Sequence, residues 1–307
     1  MGADAVKYDD CASELYAQVL QDAPRRFPFV PPAVLKFPVM GLALNQTGRN
    51  ISYMCNFPWE EWTRDWPQKG GRWVPELCNS WRTGSDARAG FDGMFAAIHF
   101  AETFADDVPS GPGAWNHLDA MQIGNNRSYF SHDEQGRAAL TSYGPPPPPK
   151  GPPFEGTPMS AAQEHIIFSL FALVKSPLMI GADPITLSGQ SLETYLNSEV
   201  IAISQDTLGA RGRKLSPAGA PLPGGCELWS VQLADRDGRF VVAVNTGGAA
   251  AQNVTVEWSD LGLAPNASLS VRDVWRHVDL GPSTGSLTVE VAPKSCVAVR
   301  LSRVART

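Results

Sequence analysis

"AVKYDDCASE", Ala5–Glu14, runs from a short apolar stretch into two acids, Asp9 and Asp10, and a cysteine. Period-two alternation predicts a strand, with Lys7 and Asp9 on one side of it and Val6 and Tyr8 on the other. The same kind of ending recurs down the chain. Asn56 closes "ISYMCNF" (51–57), Arg82 and Asp86 follow "LCNSWRTG" (77–84), Asn116 and Asp119 lie in "AWNHLDAMQIG" (114–124), and "PLMIGAD" (177–183) is a fifth run. Helical patterns separate these strands. "FDGMFAAIHFAETFA" (91–105) repeats Phe91, Met94, Phe95 and Ile98 at helical spacing. "SAAQEHIIFSLFALVKS" (160–176) opens with Ser160 and Gln163 as a capping box and is apolar nearly all round, which predicts a buried helix. Strands alternating with helices over residues 1–205 predict β-α units around a parallel sheet.

In a parallel barrel the C-terminal strand ends form one face, and active sites lie there. Two carboxylates converging on that face, Asp9 and Asp86, suit glycoside cleavage, one as nucleophile and one as proton donor. The plainer reading of such acids is that they cap helices and solvate loops.

Beyond Gln205 the texture changes to short β-rich runs: "CELWSVQL", "RFVVAVN", "NVTVEW", "LSVRDVW", "SLTVEV" and "CVAVRLS", with "RDG" at 236–238 as a hairpin turn. Residues 206–307 therefore read as a separate antiparallel domain. Cys226 and Cys296 lie near the starts of its first and last candidate strands, where a disulfide is an open option. "YGPPPPPKGPP" (143–153) reads as a stiff surface insertion, because proline lacks the N–H and fixes φ.

Composition narrows the classes. A chain that is 43% hydrophobic, 18% charged and 9% aromatic can build a core, which excludes disorder for most of it. Its net charge of −6 argues against nucleic acid as a partner. No run reaches the roughly 20 apolar residues of a membrane helix. Five N-x-S/T sequons, at Asn45, Asn50, Asn126, Asn253 and Asn266, point to a secreted chain. The five cysteines show no C-x-x-C spacing, so disulfides are expected before metal or redox motifs.

"VKYDDC", "SYMCNFPWE", "CNSWRTGSD", "GPGAWNHLDAMQIGN", "FSLFALVKSPLMIGAD" and "NSEVIAISQDTLGARGRKL" resemble, in that order, the successive motifs of glycoside hydrolase family 27, the α-galactosidases and α-N-acetylgalactosaminidases. The resemblance implies the C-terminal portion of a (β/α)8 barrel, about strands 4–8, followed by an antiparallel β-sandwich. It implies a retaining hydrolase that removes terminal α-linked galactose from oligosaccharides, glycolipids or galactomannans without metal or cofactor. Asp9 would be the nucleophile and Asp86 the acid/base. Lys7, Arg82, Asn56, Trp59 and Asp119 would bind the sugar, and Cys55 and Cys78 would form a family disulfide. The family's nucleophile belongs to the fourth barrel strand, so about three β-α units and a signal peptide are expected upstream of Met1. Cys11 would find its partner there. Secretion or a lysosomal or vacuolar location, and a homodimer, are further expectations.

The chain departs from the family at three positions. Asn56 stands where α-galactosidases often carry a Glu that binds the 2-hydroxyl and α-N-acetylgalactosaminidases a Ser. Trp59 stands where acetamido-binding members keep a small residue, which favours galactose over N-acetylgalactosamine. The usual N-D-P-D reads Asn116-His117-Leu118-Asp119, and His117 is expected to be a structural substitution. The rival to the enzyme reading is a non-catalytic remnant or carbohydrate-binding pseudoenzyme. Retention of Lys7, Asp9, Arg82 and Asp86 together favours the enzyme, whereas the three β-α units expected upstream and not contained here favour the remnant for the chain as given, whose own activity is doubtful.

Overall fold

The computed structural model describes residues 2–9, 33–56, 74–84, 86, 87, 89–103, 110–125, 127, 128, 154, 155, 158–217 and 222–304. Asp10, Cys11, Trp59, Asn126 and the proline-rich stretch 143–153 lie outside them. The chain divides into two compact units. The first comprises Met1–Asp86, Asp106–His117 and Arg127–Gly156, and the second Ala87–Ala105, Leu118–Asn126 and Thr157–Thr307.

The first unit holds a parallel sheet of β1 (Ala5–Tyr8), β2 (Ser52–Cys55), β3 (Ser80–Arg82) and β4 (Trp115–His117), ordered β1-β2-β3-β4. Spatial order follows chain order, as successive β-α units of a barrel require. Helix α1 (Ala33–Gln46) follows β1 in the chain, and the short α2 (Val74–Leu77) precedes β3. Tyr8 meets Phe37 edge-on at 5.4 Å, and the Tyr53 hydroxyl donates to the Phe37 carbonyl at 3.1 Å, so α1 is fastened to the two strands beside it. The Cys55–Cys78 disulfide, expected from the resemblance, is present and spans 23 residues. A loop of that length corresponds to ~3 kcal/mol of stabilisation through the unfolded chain. A short antiparallel pair, β5 (Arg127–Ser128) and β6 (Phe154–Glu155), completes this unit.

In the second unit, α3 (Phe91–Glu102) and α4 (Ala161–Leu173) are the two helices read from spacing. The capping box forms: Gln163 N donates to Ser160 Oγ at 3.3 Å, and Ser160 N to Gln163 Oε1 at 3.0 Å. Ile166 through Val174 are all buried, as the all-round apolar pattern requires. Two short helices follow, α5 (Gly189–Tyr195) and α6 (Ser198–Ser204). "PLMIGAD" departs from expectation. Its sheet character is one parallel bridge, Ile180 to Met121, in which Met121 N donates to Met179 O at 2.7 Å and Gly181 N to Met121 O at 2.8 Å.

The rest of this unit is built around a six-stranded antiparallel sheet, ordered β12-β11-β14-β9-β8-β7. Its strands are β7 (Arg213–Lys214), β8 (Cys226–Gln232), β9 (Arg239–Asn245), β11 (Ser268–Asp273), β12 (Val278–Thr284) and β14 (Ser295–Arg303). A pair, β10 (Gln252–Glu257) with β13 (Ser286–Val291), forms the second layer of the sandwich. The expected hairpin turn is there: Leu233 N donates to Gly238 O at 3.0 Å, with Asp237 at φ 66°.

The central strands are buried on both faces. Leu228, Val241, Ala243, Val299 and Leu301 face the core shared with Val254, Val256 and Val291 of β10 and β13. Trp229, Val231, Phe240, Val242, Val244 and Ala298 face the core shared with α3 and α4. That is why "RFVVAVN" reads as a continuous apolar run instead of alternating.

The same register removes the option of a Cys226–Cys296 bridge, and both thiols are free. β9 lies between their strands, which sets them about two strand spacings, roughly 9.6 Å, apart, beyond disulfide reach. They also face opposite ways, since Cys226 pairs with Asn245 and Cys296 with the neighbouring Val244. No helix among the described residues is long and apolar enough to cross a membrane.

His165 of α4 stacks on Trp275 at 3.7 Å with the rings 8° apart, and the Trp275 indole donates to Ser169 at 2.9 Å. Burial pushes His165 down to about 4, against a smaller upward pull from Asp273. Between the free-imidazole value near 6.5 and 4, the unfolded chain therefore binds a proton that the folded chain does not. The stabilisation is complete above pH 6.5 and is lost as pH falls towards 4. The depression corresponds to roughly 3 kcal/mol if undiminished, and partial solvent access brings it to about 1–2 kcal/mol. Urea unfolding of the wild type between pH 6.5 and 4.5 should show this decline, and His165→Phe, which keeps the stacking, should flatten it.

Candidate active site

The parallel register places the polar strand ends side by side. Tyr8 pairs with Cys55, Cys55 with Trp81, and Arg82 with His117. One residue beyond the first two pairs, Asp9, Asn56, Arg82 and His117 share a single rung at the C-terminal ends of β1 to β4. Asn56 N donates to Tyr8 O at 2.9 Å and Thr83 N to His117 O at 3.2 Å, so the ladder continues through this rung.

A run of polar contacts follows the rung. Lys7 Nζ lies 3.5 Å from Asp9 Oδ2, the two side chains leaving the same side of β1. The Asn56 amide donates to Asp9 Oδ1. Arg82 Nη1 reaches Asn56 Oδ1 at 3.4 Å and Asp86 Oδ1 at 3.1 Å, while Nη2 donates to Gly84 O at 3.2 Å. Lys7, Asp9, Asn56, Arg82 and Asp86 are therefore brought together as one connected group. Arg82 is only 2% exposed, whereas the Asp86 side chain is 53% exposed. A buried guanidinium is costly unless hydrogen bonds replace its water, and the two Nη groups of this fork meet a carboxylate, an amide oxygen and a carbonyl. Asp9 and Asp86 remain open enough to be reached from outside.

Asp119 lies past the end of β4, in the second unit. Its Oδ2 accepts from Ala87 N at 2.8 Å and its Oδ1 from Ala120 N at 2.9 Å, with φ at 82°. Its carboxylate thus holds the backbone at the residue that follows Asp86. Asn116 and His117 are buried in β4, and Asn116 Nδ2 points to Ser110 Oγ at 3.5 Å. Trp59 lies outside the described residues. Among the described residues no cluster of three or more His, Cys, Asp or Glu side chains could hold a metal ion.

Comparison with known proteins bears on the family and the fold. A family model described as alpha galactosidase A matches residues 2–143, and one described as the alpha galactosidase C-terminal beta sandwich domain matches residues 223–301. The chain belongs to glycoside hydrolase family 27. Among curated family members, alpha-galactosidase 3 of Arabidopsis thaliana is 31% identical over 298 residues, which is 96% of this chain and 54% of the relative. The alpha-galactosidase of Oryza sativa subsp. japonica is 29% identical over 296 residues, 96% of this chain and 56% of its own. The chain thus spans about half the length of the curated relatives it matches. Two solved structures share the fold. Alpha-galactosidase I from Mortierella vinacea has a TM-score of 0.67 at 21% identity, over 99% of this chain and 69% of that one. The family 27 β-L-arabinopyranosidase from Geobacillus stearothermophilus has a TM-score of 0.71 at 21% identity, over 100% of this chain and 59% of that one.

The family motifs located the charged residues, but two features went unread. The donation from Asn56 to Asp9 follows from register, whose signal was the matching offset of Asp9 and Asn56 after Tyr8 and Cys55. The use of Asp119 as a backbone anchor had no signal in the spacing of its motif.

Arg82→Lys tests the fork directly. An ammonium keeps the charge but cannot serve Asn56, Asp86 and Gly84 from one planar group, so urea unfolding should show a loss of about 1–3 kcal/mol. An unchanged midpoint would mean that the fork contributes nothing beyond its charge.

Proposed function

We propose that the protein is a retaining α-galactosidase in which Asp9 is the nucleophile and Asp86 the acid/base. The observation that carries this reading is the connected group Lys7–Asp9–Asn56–Arg82–Asp86 at the C-terminal strand ends, in a chain of this family. Asp9, beside the Lys7 ammonium and the Asn56 amide, is set up to act as an anion. Its oxygen attacks the anomeric carbon while the leaving oxygen takes the proton of Asp86, giving a glycosyl ester on Asp9. Asp86 then removes a proton from water, which cleaves the ester with net retention. Arg82 pairs with Asp86 in the free protein. Proton transfer to the leaving group makes Asp86 an anion, and the guanidinium stabilises that anion.

The substrate is a terminal α-linked galactoside. Trp59, three residues beyond Asn56 in the sequence, stands where the family's acetamido-binding members keep a small residue, and this supports galactose over N-acetylgalactosamine. The exposed sequon asparagines Asn45, Asn50, Asn253 and Asn266 and the Cys55–Cys78 disulfide support a secreted or lysosomal/vacuolar protein.

Aryl α-galactosides of graded leaving-group acidity test the roles. Asp9→Asn should abolish turnover of all of them. Asp86→Asn should cost roughly 10²–10⁴-fold on an oligosaccharide and far less on an activated nitrophenyl galactoside, which needs little protonation. Equal losses on both substrates would remove Asp86 from the acid/base role, and turnover retained by Asp9→Asn would sink the reading.

A further inference from the structure

The resemblance makes Asn56 a sugar contact, yet its side chain is engaged with protein at both ends. Nδ2 donates to Asp9 Oδ1, and Oδ1 accepts from Arg82 Nη1 at 3.4 Å. The two partners fix the orientation of the amide, since a carboxylate must face the NH₂ and a guanidinium the oxygen. An amide alone offers a donor and an acceptor at this separation. A carboxylate in its place offers only acceptors and would set a second anion against Asp9.

We propose that Asn56 is a positioning residue: its amide orients the Asp9 carboxylate and links it, through Arg82, to Asp86. The proposal rests on the reading of Asp9 as nucleophile and goes beyond it. The two carboxylates are then not placed independently, because one amide and one guanidinium bridge them. Arg82 is buried and further pinned by Gly84 O, so it acts as the fixed end of the bridge. The partly exposed Asp9 carboxylate is the end that the amide must orient. A carboxylate free to rotate at the tip of a strand would meet the anomeric carbon in a productive geometry only part of the time. Among the described residues the charged groups joined to this bridge are Lys7 on β1 and Arg82 and Asp86 at and beyond the end of β3, with the titratable His117 of β4 on the same rung. β2 adds only the neutral amide, since Cys55 is held in the disulfide.

The test reads Asp9 itself in the full chain. With aspartate carboxyl carbons labelled with ¹³C and the Asp9 signal assigned from Asp9→Asn, the wild type, Asn56→Leu and Asn56→Ser are titrated by NMR between about pH 3 and 8. Loss of a donor to the ionised form should raise the Asp9 midpoint by roughly one pH unit in Asn56→Leu and by less in Asn56→Ser, whose hydroxyl can still donate. If Asn56→Leu does not fold, Asn56→Ala replaces it, which removes the donor without adding a charge and should raise the midpoint in the same way. An Asp9 midpoint that stays put in every folded variant overturns the proposal.

Activity supplies a second readout. On an aryl α-galactoside, Asn56→Leu should lower kcat roughly ten- to hundred-fold. The same loss should appear on the 2-deoxy substrate, because the effect runs through Asp9. A loss confined to the 2-hydroxylated substrate would make Asn56 a direct sugar contact and overturn the proposal. Turnover retained by Asp9→Asn while the Asp9 midpoint moves as expected in the Asn56 variants would sink the reading of Asp9 as nucleophile and leave the Asn56–Asp9 link standing.

Discussion

The register of four parallel strands is the constraint on which the site depends. Side chains alternate along a strand, so slipping β2 by one residue against β1 would turn Asn56 away from Asp9 and set Cys55 against it. Several contacts hold the register in place. Tyr53 N donates to the Asn79 side chain at 2.8 Å and Asn79 N to Tyr53 O at 2.8 Å, which clamps the entry to β3 against β2. The Cys55–Cys78 bridge ties the last residue of β2 to the residue two before β3. Each contact is modest alone, but all fall within a few residues of the rung that carries Asp9, Asn56 and Arg82.

Arg82 decides how that rung is used. Removing a guanidinium from water costs several kcal/mol, and a single exposed carboxylate partner would not offset it. The half-exposed Asp86 is a weak partner on its own account. What offsets the cost is the number of acceptors: Asp86, Asn56 and the Gly84 carbonyl share one planar group. Burial thus makes Arg82 rigid, and its rigidity is what lets an exposed acid keep a defined position. A lysine would serve the same charge with less geometry, which is why the residue type matters here more than the sign.

Much of this was legible in the sequence, for physical reasons that differ from place to place. β1, β2 and β3 ended in polar residues at matching offsets, and α4 announced both its start, through Ser160 and Gln163, and its burial. β12 was missed because Gly281 and Pro282 interrupt it and most of its side chains face solvent, leaving no apolar pattern to read. α1 was missed because Pro38 lies inside it, and proline argues against helix unless tertiary contacts such as those of Phe37 hold the segment. The relation of Cys226 to Cys296 depends on which strand lies between theirs. Strand order is a property of the sheet, and no local spacing encodes it.

The two-faced sheet of the second unit has a consequence for how the C-terminal strands are regarded. In a sandwich whose outer face met solvent, one face of β8, β9 and β14 would be core and the other exposed, and each strand would alternate. Instead Trp229, Phe240 and Val242 pack with Ile166, Phe168 and Leu170 on one side while Leu228, Val241 and Ala243 close the sandwich on the other. Polar contacts reinforce the join. Asn197 caps α6 and donates to Val274 O at 3.0 Å, and Glu199 of the same helix takes both nitrogens of an Arg272 fork at 2.8 Å. The central sheet is therefore as much the floor under α4 and α6 as it is one layer of the sandwich. Substitutions in β9 act on different cores according to parity: even-numbered positions from Phe240 to Val244 disturb the helical layer, and odd-numbered ones disturb the sandwich.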